Sequence, residues 1–510
     1  MTMTLQAGGR ARLGMFSAPN LWAPLVLLAC GAFMFVDLRT IPIVLWDESR
    51  LAVNALEMSR SGFGLVTTYD FQPDLWNTKP PLLIWLMSAC VRLFGPGELA
   101  VRLPSMAASI GTLAVVMAFT RRMTGSAWAG ALAAGLLALS PAFFGEHGAR
   151  TGDYDALLCF FTTSYLCVLF FALHRAPPAG RRLVLAGALV AAAVLTKSVA
   201  GLVPGAGFAL YLLVAKRFGR VFASPRTIAY AVAAAMVAAV PVAAFYLLRE
   251  AAAPGYLAAV WYNDVSGRFM TALDQHHGPP WYYLRLCFGF GLFSAGPLVV
   301  FVPFALRFAT GKTRQALLFA LCAAAGVIGV VSLSSTKLPQ YVLTAVPFLA
   351  VATAIAAHAA VRHLKQRSPE GGSPLTASGA RVAIVALVAL LVVGRAVLFR
   401  AVVFPGLEFY PQALYGELFA DLARQGVSRV EVAEHGVETI GVSKGYAPQL
   451  RFYALAAAEQ GLTVETTAEA PDLSSPGVKA TCDPHFVEAV SKAGAPLAHP
   501  AGCAAVRVGP

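Results

Sequence analysis

The chain has 510 residues, 58% of them hydrophobic and 13% charged, with 39 Lys and Arg against 26 Asp and Glu for a formal net charge of +13. A soluble protein of this length would carry far more charge, so the composition excludes that class and points to a polytopic α-helical membrane protein. The basic residues fall in short clusters between apolar runs, where they orient a chain against lipid, so the positive balance does not imply nucleic acid.

In chain order, Arg10 and Arg12 precede an apolar run from Leu21 to Val36, which favours a cytoplasmic N-terminus. Leu27-Leu28-Ala29-Cys30 resembles a lipoprotein processing site, but the run continues past Cys30, so an uncleaved first helix is expected. Further apolar runs near 101–120, 126–145, 156–173, 183–196, 199–215, 228–248, 283–306, 315–332, 340–361 and 380–399 bring the count to about eleven spans. Alternate connections carry Arg121 and Arg122; Arg175, Arg181 and Arg182; Lys216, Arg217, Arg220 and Arg226; Arg307, Lys312 and Arg314; and Arg362, Lys365 and Arg367. All five fall on the side of the N-terminus, as the positive-inside rule requires.

The opposite face receives the other polar blocks. It holds a first loop over 41–95, which opens with Trp46-Asp47-Glu48-Ser49-Arg50 and contains Asn77-Thr78-Lys79-Pro80-Pro81. It also holds Glu146 to Asp155, a long loop over 249–283, Ser334 to Tyr341, and everything after about residue 401. Leu51, Ala55 and Met58 share one helical face and Arg50, Asn54 and Glu57 another, which predicts a short helix lying in the interface. Pro80 and Pro81 then open an apolar helix from Leu82 to Phe94, too short to span and predicted to be interfacial or re-entrant.

Three blocks in order carry a resemblance. They are Asp47-Glu48-Ser49-Arg50-Leu51; Lys79-Pro80-Pro81-Leu82-Leu83-Ile84-Trp85; and Phe94-Gly95-Pro96-Gly97-Glu98 through Arg102-Leu103-Pro104-Ser105. The chain resembles the protein O-mannosyltransferase and aminoarabinose (lipid A) transferase superfamily. Gly267-Arg268-Phe269, His277 through Tyr283, and Lys337-Leu338-Pro339-Gln340-Tyr341 extend the likeness over about the first 350 residues. It implies a GT-C fold with about 11 to 13 transmembrane helices over 1–400, juxtamembrane helices in the first periplasmic loop, and residence in a bacterial inner membrane. It also implies transfer of a sugar, with inversion, from a polyprenyl (undecaprenyl) phosphate carrier to a periplasmic acceptor hydroxyl or phosphate on a lipid or envelope glycan such as lipid A. Asn263-Asp264-Val265-Ser266 departs from the acidic-then-histidine pattern of the aminoarabinose enzymes, which leaves the sugar open.

Chemistry suggests roles for these residues. A departing lipid phosphate at the interface needs cations, for which Lys79, Arg268 and Lys337 are candidates, and an acceptor hydroxyl needs a base, for which Asp47 is the choice. Asp153 resembles the family's second acidic position and is a second catalytic candidate, while Glu48, Arg50, His277 and Tyr341 are candidate substrate contacts. A divalent cation is a candidate cofactor, with Asp47 and Asp153 as its ligands, although a carboxylate base with cationic clamps would work without one. Duller readings stand beside these: Asp47 or Asp153 as a helix cap, Glu48 as a solvated partner of Arg50, Lys79 and Lys337 as snorkelling anchors, and Tyr341 as an interfacial aromatic. Activity on a protein acceptor, and a lipid or sugar transporter, are the alternative functions, although charged residues near the bilayer midplane and internal repeats are lacking.

The segment 401–510 is more acidic and is expected to form a small soluble periplasmic α/β domain. Helices are predicted near 412–425, 449–459 and 485–492, and strands near 429–433, 462–466 and 504–508. Six of eight cysteines lie in apolar runs; Cys482 and Cys503 are the two in the tail, and an oxidising compartment would let them pair.

Overall fold

A computed structural model of the chain describes residues 22–36, 38–43, 45–174, 178–220, 222, 224–270, 276–289, 292–367, 414–436 and 446–509. The apolar run 380–399 lies outside the described residues.

Most of the molecule is helix. Helix α1 covers Trp22–Phe35, α2 Asp47–Ser61, α3 Leu82–Phe94, α4 Glu98–Thr124, α5 Ala127–Ala138 and α6 Pro141–Phe144. Then come α7 Tyr154–Leu173, α8 Gly180–Lys197, α9 Val203–Val214 and α10 Pro225–Ala252. Short helices α11 Tyr256–Val260, α12 Gly267–Met270 and α13 Tyr282–Phe288 lead to α14 Gly311–Leu333 and α15 Val346–Arg367. Six helical stretches among the described residues are long and apolar enough to cross a membrane: Glu98–Thr124, Tyr154–Leu173, Gly180–Gly201, Pro225–Ala252, Gly311–Leu333 and Pro339–His363. The chain is therefore a multi-pass membrane protein.

Several spans differ from their expected form. The run 126–145 divides into α5 and α6, because Ser140-Pro141 restarts the helix. The run 283–306 divides into α13 and a 3-10 segment, Gly296–Arg307, and 199–215 opens with a 3-10 turn, Ser198–Gly201. Where α9 crosses α14 the backbones nearly touch: a Cβ on Gly326 would stand 2.2 Å from Gly207 Cα, a close approach that only glycine permits.

Helix α2 is buried within the protein. Ten of its fifteen residues, from Glu48 to Met58, are buried, because both faces find protein partners. Leu51, Ala55 and Met58 join an apolar core with Leu83, Ile84 and Met87 of α3. On the polar face Asn54 donates to Thr68 O at 2.6 Å and to Asp74 Oδ2 at 3.0 Å, and Glu57 accepts from Asp70 N and Phe71 N at 2.9 Å each.

The tail forms a five-stranded mixed sheet. The two-residue strands β1 Thr68–Tyr69 and β2 Gln72–Pro73 belong to the first loop; β3 Arg429–Ala433, β4 Thr463–Thr467, β5 Gly477–Thr481, β6 Ala495–Pro496 and β7 Ala504–Val508 form the tail sheet in the order β4-β3-β5-β7-β6. Helices α16 Tyr415–Arg424, α17 Pro448–Ala458 and α18 Pro484–Ser491 flank it. Strand β5 is absent from the sequence reading; its Lys479 is buried in an ion pair with Glu431 of β3, so a charge sits where alternation would place an apolar residue. Cys482 and Cys503 form a disulfide beside this strand.

The tail shares its core with the first loop: Tyr415, Leu418, Phe452 and Tyr453 pack in the same apolar cluster as Leu51 and Leu83. Polar contacts reinforce the seam. Arg451 pairs with Glu57 at 2.9 Å and with Asp70 at 2.8 Å, and Tyr453 Oη donates to Glu98 at 2.7 Å while accepting from Ile43 N at 2.8 Å.

Candidate active site

The start of α7, the end of α8, the start of α2 and the turn before α7 converge at one end of the helical bundle. Asp47 is the first residue of α2 and Asp153 caps α7, its Oδ1 accepting from Tyr154 N at 2.5 Å. The other oxygen of Asp153 pairs with His147 Nδ1, which lies 4.0 Å from Asp47 Oδ2. Ligand atoms of Asp47, His147 and Asp153 all fall within 4.8 Å of one another. Just below, Lys197 at the end of α8 forms an ion pair with Asp155.

The backbone is strained where it presents these groups. Of the six non-glycine residues with positive φ among those described, Trp46 (86°), His147 (59°) and Ser198 (51°) are or adjoin members of this cluster. Such conformations persist only when the surroundings hold them, and they concentrate at functional sites. Part of that hold is Glu48, which accepts from Arg102 Nε at 2.7 Å, Arg102 Nη2 at 2.8 Å and Gly152 N at 2.8 Å. Arg102 also donates to the carbonyls of Leu38, Ile41 and Pro42 at 2.9, 2.6 and 3.0 Å. All five of its N–H donors are therefore engaged. Gly152 admits no side chain, since a Cβ would meet Val101 Cγ1 at 2.5 Å. Glu48, expected to touch substrate, is instead buried and ties the Asp47 turn to the Asp153 turn.

Electrostatics divide the three acidic and basic groups. Burial works against the His147 imidazolium, but the hydrogen bond and charge of Asp153 outweigh it and raise its pKa to about 9. Burial pushes Asp153 up, yet its bond to His147 prevails and holds it below the ordinary carboxylate range. Asp47 moves the other way: enclosure by the protein, then the charge of Asp153, raise its pKa against the pull of His147, Lys197 and Lys79. Its side chain is still 47% exposed, so a proton on an incoming group can reach it.

The remaining candidates are placed as follows. Lys79 pairs with Asp264 at 3.1 Å, and Thr78 Oγ1 donates to the same oxygen at 3.1 Å, so the acid that precedes Val265 in the segment departing from the family pattern is part of the lysine's setting. Arg50 makes a bidentate pair with Asp74, both bonds 2.9 Å, beneath the rings of Tyr69, Trp76 and Tyr446. Burial opposes ionisation of Asp74, but Arg50 holds it below the usual carboxylate value. Lys337, expected to clamp phosphate, is buried and donates to the carbonyls of Val331 at 3.3 Å, Ser332 at 2.7 Å and Ser334, which closes the end of α14. Its three N–H donors all have protein acceptors. Tyr341 is half-buried and within electrostatic range of Lys197. His277 is exposed in the loop whose neighbour His276 accepts from Lys337 N at 2.8 Å. Arg268 lies in α12, and its side chain is outside the described residues.

The sequence reading singled out neither His147 nor Lys197. His147 precedes Asp153 by six positions, a spacing with no helical meaning; a strained turn brings the two together. Lys197 did leave a signal: a lone lysine between the apolar runs 183–196 and 199–215, on the face without basic clusters.

Two hard carboxylate oxygens and an imidazole fit a small divalent cation. His147 would have to yield its proton first, since an imidazolium is no ligand.

Six candidate spans among the described residues, with the acidic site at one end and an α/β tail against the first loop, make this a polytopic membrane protein. Its fold matches ArnT of Cupriavidus metallidurans bound to undecaprenyl phosphate, with a TM-score of 0.64 at 19% identity over 97% of this chain and 100% of that one. The archaeal oligosaccharyltransferase AglB of Archaeoglobus fulgidus aligns at a TM-score of 0.50 and 14% identity over 90% of this chain and 69% of that one. In sequence, residues 78–245 match the dolichyl-phosphate-mannose-protein mannosyltransferase family, a stretch that contains Lys79, His147, Asp153 and Lys197. An undecaprenyl phosphate-alpha-4-amino-4-deoxy-L-arabinose arabinosyl transferase of Pseudomonas fluorescens is 29% identical over 383 residues, 72% of this chain and 61% of that protein. The match thus spans less than two thirds of the relative's length. The chain is thus similar to the protein O-mannosyltransferase and aminoarabinose transferase enzymes, in sequence over part of its length and in fold over nearly all of it.

Proposed function

We propose that the protein transfers a sugar from a polyprenyl phosphate carrier to an acceptor hydroxyl or phosphate on a lipid or envelope glycan, with lipid A as the leading candidate. The observation that carries this reading is the meeting of Asp47 and Asp153, 106 positions apart, around His147 beside Lys79 and Lys197. The lipid tail would lie among the spans with its phosphate at the site end of the bundle. Similarity to the arabinosyl transferase supports undecaprenyl phosphate as carrier and an aminoarabinose-type sugar as cargo.

In the reaction, the acceptor oxygen forms a bond to the anomeric carbon as the bond from that carbon to the phosphate oxygen breaks, with inversion. A hydroxyl acceptor gives its proton to Asp47, whose raised pKa makes it the stronger base. Lys79, released from Asp264, balances the charge on the departing phosphate, with Arg268 and Tyr341 as further contacts. His147 keeps Asp153 ionised and oriented, so the negative field that raises Asp47 persists through turnover. A divalent cation held by Asp47, His147 and Asp153 would supply Lewis-acid stabilisation of phosphate charge. The site end faces the periplasm in this reading, as the positive-inside pattern requires.

The test is turnover of lipid-linked sugar by purified protein in detergent, with envelope lipid extract as acceptor. Loss of turnover in Lys79→Ala, with donor KM raised and the fold intact, supports the reading. Turnover at the wild-type rate would remove Lys79 from the phosphate's path.

A further inference from the structure

The opposite end of the same helices carries a cavity that the transfer reaction does not use. Helix α8 runs away from Lys197 for 18 residues, so its first residue, Gly180, stands about 26 Å from Lys197. There α8 and α10 both begin, and between them lies a cavity of about 430 Å³ lined by Arg181, Arg182, Arg226, Ser224, Thr227 and Tyr230 among others. No acidic side chain is among the described lining residues, and none of the three arginines has a carboxylate partner among the described residues.

Three guanidinium groups around one concavity repel one another unless an anion joins them, and the positive ends of two helix dipoles point the same way. Among the described residues Arg182 donates to Phe171 O, at 3.4 Å. The hydroxyls of Ser224 and Thr227 share a 3.0 Å hydrogen bond at the cavity wall, which leaves one of the two O–H groups to donate to an oxyanion. The neighbouring surface is apolar: Ile228, Val232, Met236 and Val240, four residues apart along α10, are between 41% and 57% exposed. Only 6% of the most apolar stretch of α10 is buried inside the protein, so this stripe faces lipid. A polar, cationic cup at the membrane boundary above an open apolar stripe matches a molecule with an anionic head and hydrocarbon chains.

We propose that this cavity binds the phosphate headgroup of an anionic phospholipid, whose acyl chains lie along Ile228, Val232 and Met236. Arginine suits the task because its planar fork makes paired bonds to phosphate oxygens. The site stands at the far end of the bundle from the transfer chemistry and does not depend on that reading.

The experiment has two arms. Wild-type protein in nanodiscs containing a photoreactive phosphatidylglycerol is irradiated and the adducts are mapped; labels within 178–182 and 224–236 are expected, and labelling confined to other segments would overturn the proposal. Lipid retention is then compared by native mass spectrometry for wild type and Arg181→Gln/Arg182→Gln/Arg226→Gln. Phosphatidylglycerol binding is expected to weaken by about tenfold or more, with phosphatidylcholine unchanged. Equal retention of phosphatidylglycerol by both proteins, or complete displacement of it by millimolar inorganic phosphate, would count against a phospholipid site. The mapping arm needs no substitution, so it decides the question even where the triple variant inserts poorly.

Discussion

Glu48 and Arg102, 54 positions apart, close a bidentate pair at 2.7 and 2.8 Å in a setting where both side chains are almost wholly buried. The pair holds α2 against α4, and through Gly152 N it also fixes the turn that carries Asp153. Glu48→Gln would leave a buried guanidinium without its counter-charge, a loss of about 3–5 kcal/mol. A clear fall in unfolding temperature in detergent is expected, with the donor KM of the folded fraction little changed. A manyfold rise in KM at unchanged unfolding temperature would instead make Glu48 a substrate contact.

The pairing of His147 with Asp153 gives the protein a pH signature. The His147 pKa is raised from 6.5 to about 9, so its contribution is complete below 6.5 and disappears as pH climbs through 9. Asp153 is lowered, so its share is present above the ordinary carboxylate value and lost only in acid. His147→Gln is expected to destabilise by on the order of 2 kcal/mol at pH 6 and by little above pH 9.5, read from unfolding curves at the two pH values. A difference independent of pH would show that the imidazolium is not the form held.

Docking of the tail rests on Tyr453, whose hydroxyl joins Ile43 of the first loop to Glu98 of α4. Tyr453→Phe leaves the buried Ile43 N–H unsatisfied and the half-buried Glu98 without its donor, with a cost of about 1–3 kcal/mol. Limited proteolysis is expected to cut the tail faster in the variant, while the transmembrane fragment stays intact.

The disulfide closes a loop of 21 positions. By loop entropy its removal costs about 3 kcal/mol, so Cys482→Ser/Cys503→Ser is expected to lower the unfolding temperature of the tail as reduction does in wild type. No effect of reductant on wild-type protein would mean the thiols are free in solution.

Much of the bundle was legible because apolar runs and basic clusters are written at the scale of whole helices. Helices α4, α7, α8, α10 and α14 coincide with runs read from the sequence. What escaped depends on partners far along the chain. The polar face of α2 looked solvated because Arg451 and Asp74, its neutralising partners, lie on other elements. Lys337 looked like a free cation because the carbonyls it caps carry no sequence signal. Asp47 and Asp153 could be named as candidates, but that His147 bridges them follows from a left-handed turn that no periodicity announces.

The most direct test of the account is the turnover of lipid-linked sugar by Asp47→Asn against wild type. Asparagine keeps the shape and removes the base, so a fall of about a hundredfold or more in kcat, with donor binding and unfolding temperature preserved, is the expected result. Turnover within a few-fold of wild type would contradict Asp47 as the proton acceptor.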